Sequence, residues 1–279
     1  MRYKIIGDSC LDLTKEMRKD PCYSMIPLTL MVGERHFVDD ETFDQKEFIK
    51  VVKEYPECPK SACPSPEMFK EAYCCEEENV FVITLSAALS GSYNSAVLAK
   101  SLYEEEYGKK NILVLDSKSA SSGQLNIAMY IRELCDQGLE FDEICEKAAA
   151  YRDRMNTYFV LDNLETLRKN GRLTGVKALV ATTLSIKPVM AGTKEGTIEQ
   201  IGQGIGIKKA LQKLAEAAVK NAVEPEKKIL MISHCNNSDR AEIVRRMITD
   251  KIRVKDVIIM DTAGVSSMYA NDGGVIVTI

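Results

Sequence analysis

Val80-Phe81-Val82-Ile83-Thr84-Leu85-Ser86-Ala87-Ala88-Leu89-Ser90-Gly91-Ser92-Tyr93-Asn94-Ser95-Ala96 opens with a run of β-branched and aromatic residues of strand length, far too short to cross a bilayer. It then passes through small hydroxyl residues into a helix start. The same passage recurs outward in both directions. Tyr3 to Gly7 runs into Asp8-Ser9, Ile112 to Leu115 into Asp116-Ser117-Lys118-Ser119, and Lys228 to Ile232 into Ser233-His234. Further strand-like runs lie at Tyr158 to Leu161, Val257 to Met260 and Val275 to Ile279. Between them stand helical periodicities: Ile127, Ile131, Leu134 and Cys135, stopping at Gly138; Phe141, Ile144, Cys145, Ala148 and Met155; Leu211, Leu214, Ala215 and Ala218, ended by Glu224-Pro225; and Ala241, Val244, Met247 and Ile248 after a Ser238 or Asp239 cap. Alternating strands and helices predict an α/β fold with a mostly parallel N-terminal sheet.

At about 150 residues per domain, the 279 residues predict two domains. With no linker or repeat to mark the boundary, it falls where the helical hairpin ends, giving an N-terminal α/β domain over 1–157 and a smaller α/β domain over 158–279. Cys135 and Cys145 lie on helical apolar faces, where a thiol packs as a small hydrophobe.

Apolar residues make up 45% and charged residues 28% of the chain, and the net charge of −4 comes from 37 basic and 41 acidic residues that are interspersed. No single-sign field exists to gather nucleic acid or an anionic membrane. Nine cysteines with no C-x-x-C pair, behind a start without a signal-peptide core, predict a reduced, cytoplasmic protein. Only His36 and His234 accompany them, so a metal site is not expected, nor is a cofactor.

Small hydroxyls at strand ends are ordinary turn and cap residues. Two segments ask for more. Ser90-Gly91-Ser92 before a helix directs hydroxyls and amides to one point, an anion-binding geometry. In Pro59-Lys60-Ser61-Ala62-Cys63-Pro64-Ser65-Pro66, the prolines hold extended backbone and Ser65-Pro66 starts a helix, which leaves Ser61 free to face a ligand. Enzymatic readings fit less well. Gly7-Asp8-Ser9 is shared with GDSL-type esterases, but neither histidine has an aspartate three residues before it. Asp8 and Asp12 are four apart, where the haloacid dehalogenase pair is two apart. Gly202-Gln203-Gly204-Ile205-Gly206 lacks the strand and acidic residue of a dinucleotide site and reads as a turn.

Taken together, Ile6-Gly7-Asp8-Ser9-Cys10-Leu11-Asp12-Leu13, Pro59 to Pro66, Leu89 to Ala96, Asp162 to Leu173 with its L-x-x-L-x-x-x-G-R spacing, and Leu184-Ser185-Ile186-Lys187-Pro188-Val189-Met190 resemble the ordered motifs of the DegV family across nearly the whole chain. The resemblance implies a two-domain carrier of a long-chain fatty acid such as palmitate, without catalytic groups of its own. Its acyl chain would be buried in one domain and its carboxylate held where the domains meet. In FakB-type relatives the acid is presented to a fatty-acid kinase. The family's carboxylate contacts carry over to Ser61 and Ser90, with Gly91 and Ser92 as further donors.

Two positions depart from the family pattern. Ile205 stands where many relatives have arginine, and Tyr269 where many have histidine. Losing that arginine removes a fixed cation, which favours fatty-acid binding over service to a kinase. Tyr269 retains a hydroxyl donor, and Arg172 is a candidate substitute cation, although a surface or helix-end role is its plainer reading. Met25, Met31, Met129 and Phe159 read as core. Two alternatives stay open: a small hydrolase using Ser9 or Ser90, and a lipid-sensing regulatory protein.

Overall fold

A computed structural model describes residues 2–173 and 185–279; Leu184, quoted above, lies outside the described residues. The first half comprises β1 (Tyr3–Asp8), β2 (Tyr23–Ile26), β3 (Thr29–Val32), β4 (Arg35–Val38), α1 (Gln45–Glu54), β5 (Lys60–Ala62), α2 (Pro66–Tyr73), β6 (Asn79–Thr84), α3 (Ser92–Tyr107), β7 (Asn111–Asp116), α4 (Ser122–Asp136) and α5 (Phe141–Arg154). The second comprises β8 (Thr157–Val160), α6 (Glu165–Lys169), β9 (Ile186–Gly192), β10 (Ile198–Ile205), α7 (Gly206–Asn221), β11 (Ile229–His234), α8 (Ser238–Thr249), β12 (Asp256–Asp261), α9 (Gly264–Ala270) and β13 (Val275–Thr278).

The first sheet is wholly parallel in the order β2-β1-β6-β7. Strand alternation sorts its side chains. Ile5, Phe81 and Ile83 meet Leu125, Ile127 and Ile131 of α4 and Ile144 of α5, while Ile6, Val80 and Val82 meet Phe69 and Tyr73 of α2 and Ala96 and Ala99 of α3. All of β6 is buried, the mark of a parallel strand covered on both faces.

The second sheet is mixed, in the order β10-β9-β8-β13-β11-β12, with only β11 and β12 running parallel. Tyr158, Val160, Val189, Ala191, Val275 and Val277 pack one face onto α7 and α8. Phe159, Leu161, Met190 and Ile276 point the other way, toward the first half. Helix α4 lies between the sheets, packing on β1 and β6 and also on β11 and β13. Its first seven residues, Ser122 to Ala128, are buried all round, as a sandwiched helix requires.

Between β2 and α2 the chain makes a small antiparallel sheet, β4-β3-β5, in which Ser61 sits opposite Leu30. Ser65 caps α2, its Oγ accepting from Met68 N at 3.4 Å with Pro66 at the first helical position, as the sequence predicts. Two local readings change. The cap of α8 is Asn237, whose Oδ1 accepts from Arg240 N at 3.1 Å, in place of Ser238 or Asp239. Gly202 to Ile205 form strand in β10, with a register shift between Gln200 and Gly202. Only at Gly206, with φ of +73°, does the chain turn into α7, a conformation that suits glycine.

Candidate functional site

A cavity of about 100 Å³ lies where the two halves meet; a single water needs about 10–15 Å³ of such space, so it takes a file of several methylene-sized groups. From β8 it receives Thr157, Phe159 and Leu161, every second residue of the strand run, with Gly192 from β9 and Ile198 from β10 beside them. Cys10, Leu85 and Leu89 come from the first half, and Val265 and Tyr269 from α9. Both halves therefore wall the chamber. Phe159, read from sequence as core, is part of its lining. A larger groove of about 770 Å³ between residues 13–18, residues 40–46 and the end of β12 is edged by Lys15, Glu16, Asp40, Glu41, Asp44 and Asp261; it offers an alkyl chain mostly charged and polar neighbours.

Polar side chains also reach the chamber. Tyr269 lines it and its Oη stands 3.3 Å from Ser61 Oγ on β5, so residues 208 apart in sequence present two adjacent hydroxyls. Arg172 also reaches the chamber, its Nε donating to Leu89 O at 3.1 Å and its Nη1 to Asn170 O. Arg172 is half-buried: the turn after α6 folds its guanidinium onto the strand-end loop at Leu89, and its contact with Asn170 O, at the end of α6, keeps the helix-end role read from sequence. Ile205, by contrast, is 78% exposed at the end of β10.

Ser90 follows Leu89 in that loop. Its amide donates to Ser86 O at 3.0 Å, and its Oγ accepts from Ser92 N at 3.2 Å and lies 3.1 Å from Ser92 Oγ. The Ser90 hydroxyl thus serves the start of α3, and its proton remains for Ser92 or a ligand. Gly91 abuts the other block: a Cβ there would stand 3.0 Å from Cys63 Sγ. The two segments singled out from sequence are therefore neighbours in space.

The Gly7-Asp8-Ser9 block does different work. Ser9 Oγ accepts from Leu28 N at 3.0 Å. Asp8 accepts from Leu85 N, Cys10 N and Gln124 Nε2 at 2.9, 3.2 and 3.1 Å. Asp12 accepts from Ala263 N at 2.7 Å and meets Ser121 Oγ at 2.5 Å, and Ser121 in turn lies 2.7 Å from Ser233 Oγ on β11. Asp39, which the sequence reading passed over, takes Gly264 N at 2.6 Å and Val265 N at 2.7 Å. Three successive amides at the start of α9 are thus held by carboxylates of the first half, and α9 carries Tyr269. Burial is the largest influence on all three acids: it raises Asp8, lifts Asp12 to about 7 and lifts Asp39 to about 6.

His234 is lowered by burial and faces Asp261 at 3.3 Å, on a different strand end from Ser9 and Ser90. Among the described residues no group of three or more His, Cys, Asp or Glu is placed to hold a metal ion, and no described helix is long and apolar enough to cross a membrane. All nine cysteines are free thiols. Cys135 is buried, and Cys145 packs against the core cluster that includes Phe81 and Ile144.

A sequence model of the family described as an uncharacterised protein of the DegV family matches residues 2–279. A DegV domain-containing protein of Streptococcus pneumoniae is 32% identical over 278 residues, 99% of this chain and 98% of the relative. Among solved structures, a DegV family protein of Ruminococcus gnavus refined with vaccenic acid superposes with a TM-score of 0.98 at 47% identity, covering 100% of this chain and 99% of that one. The Fatty Acid Kinase B3 protein of S. pneumoniae, loaded with linoleic acid, gives 0.90 at 32% identity, covering 100% and 99%. With its α/β architecture matched over its full length, the chain belongs to the DegV family.

Proposed function

We propose that this protein binds one long-chain fatty acid, its acyl chain in the chamber between the sheets and its carboxylate at the Ser61–Tyr269 hydroxyls. The observation that carries the reading is the chamber itself: alternate residues of β8 form an apolar wall that leads to two adjacent hydroxyls and a guanidinium. Each buried methylene contributes about 0.8 kcal/mol, so the tail supplies most of the affinity. The head needs only donors to fix its direction, here Ser61, Tyr269, Ser90 with Gly91 and Ser92, and Arg172. Relatives solved with vaccenic and linoleic acid support the ligand class.

The protein acts as a carrier, dividing into domains at residues 157 and 158. Presentation of the bound acid to a fatty-acid kinase is the finer part of the proposal, supported by the name of the pneumococcal relative, with Arg172 as the cation that Ile205 does not provide. The test is organic extraction of the purified protein followed by mass spectrometry. It should yield about one C16 to C18 acid per chain, and Ser61→Ala combined with Ser90→Ala should reduce that far more than Ser9→Ala or Ser117→Ala. Protein free of lipid that also fails to take up palmitate or linoleate would refute it. Added kinase and ATP should convert the bound acid to an acyl phosphate.

A further inference from the structure

Gly192 lines the chamber beside Thr157, four residues along the strand run from Leu161, against whose cluster Tyr269 packs, and neither backbone nor packing accounts for its being glycine. It ends β9, where glycine weakens a strand. It is not among the glycines with positive φ. A Cβ built on it would meet Thr157 Cβ at 3.7 Å and Lys118 O at 3.9 Å, ordinary contacts that any alanine would enjoy. Gly196, across the same end, differs: its φ is +80° and a Cβ there would run into Ser86 Oγ at 2.4 Å, so the fold itself demands glycine. A strand glycine marks a bulge, a tight bend or a place where a ligand or another backbone comes close, and Gly192 pairs with Ile198 away from the register shift of its ladder.

What lies beyond Gly192 gives the end its meaning. Ser119 Oγ and Thr157 Oγ1 are joined at 2.7 Å. Behind them a small polar pocket holds Lys118, Arg152, Asp153 and Lys194, in which Lys118 and Arg152 share Asp153 Oδ1 at 3.2 and 2.9 Å. A methyl pushed past Gly192 would enter an ion-paired site, where an apolar group gains nothing and separates charges. From Leu161 to Thr157 the lining runs four residues, about 13 Å at a strand rise of about 3.3 Å.

We propose that Gly192, backed by Thr157, is the stop that sets acyl chain length: the missing side chain receives the terminal carbons, and the charged pocket bars longer chains. This rests on the fatty-acid reading above. The experiment measures dissociation constants of the full chain for saturated acids from C10 to C20, in the wild type, Gly192→Ala and Gly192→Val. Wild-type affinity should rise with length and then level off. In Gly192→Val the plateau should move to shorter chains by about two carbons, lowering the ratio of long- to short-chain affinity about tenfold. Gly192→Ala, which the contacts above accommodate, should move it by about one carbon and so guards against misfolding of the valine variant. Wild-type binding with the same length profile in both variants, or a loss equal at every length, would overturn the stop while leaving the fatty-acid reading intact. Failure of the wild type to bind any acid would remove both.

Discussion

The Ser61 and Tyr269 hydroxyls stand 3.3 Å apart across the junction of the two halves, one on a three-residue strand of the small sheet and the other on α9. Neither residue needs the other for its own secondary structure. Their meeting creates a pair of donors beside the chamber that Tyr269 lines.

If that pair holds a carboxylate, removing both hydroxyls should weaken binding without unfolding the protein. Hydrogen bonds to a charged group contribute about 1.5–3 kcal/mol each. Tyr269→Phe or Ser61→Ala alone should raise the dissociation constant for palmitate about tenfold, and the pair about a hundredfold, read by calorimetry. Unchanged affinity for the methyl ester in the same variants would tie the effect to the carboxylate.

If Arg172 faces the carboxylate, it supplies charge as well as direction. Arg172→Ala should weaken palmitate binding about tenfold and flatten its dependence on ionic strength, whereas Arg172→Lys should keep the salt dependence and lose part of the affinity, because a lysine lacks the planar fork. Titrations at low and high salt separate the two. An alanine variant with wild-type affinity would return Arg172 to the surface role its sequence context indicates.

Asp39 secures α9 by accepting from Gly264 N and Val265 N. Asp39→Ala leaves both amides without that acceptor and should cost about 2–4 kcal/mol in urea denaturation. Asp39→Asn, which keeps an acceptor oxygen, should cost less. Because α9 bears Tyr269, the alanine variant should also bind fatty acid more weakly.

Asp12 gives a pH signature. Its folded value, about 7, stands above its ordinary 3.8, so the folded state holds this proton more tightly than the unfolded chain. Its contribution to stability is fully present below about pH 4 and is lost as pH rises through about 7. Asp39, raised to about 6, acts with the same sign. His234, lowered from its ordinary 6.5 by burial, opposes them as pH falls through that value. The difference between wild type and Asp12→Asn isolates the aspartate: between pH 8 and 5 the wild type should gain stability relative to the variant, by at most about 1.4 kcal/mol per pH unit. Chemical denaturation at four pH values checks it, and parallel curves would contradict it.

The strands of the first sheet were legible because burial on both faces leaves continuous apolar runs, as in Val80 to Ile83. The two segments proposed to hold the head group stand out in sequence because proline and small hydroxyls constrain the backbone locally, and Gly91 against Cys63 shows that they converge. The cavity was not. Tyr158 to Leu161 is apolar at every position, so nothing local separates Phe159, which faces the chamber, from Tyr158 and Val160, which face α7 and α8. Arg172 and Asp39 were obscured for a related reason. Their partners are Leu89 O, 83 residues away, and amides of α9 more than two hundred away, and a helix-end arginine or a loop aspartate carries no sign of such distant contacts.

The most direct test is a crystal structure of the protein with an ω-bromo C16 acid, read by anomalous diffraction. The account predicts one bromine peak beside Gly192 and Thr157, and a carboxylate within hydrogen-bond distance of Ser61 and Tyr269. A bromine at the Tyr269 end, or a chamber closed to the acid under saturating conditions, would contradict it.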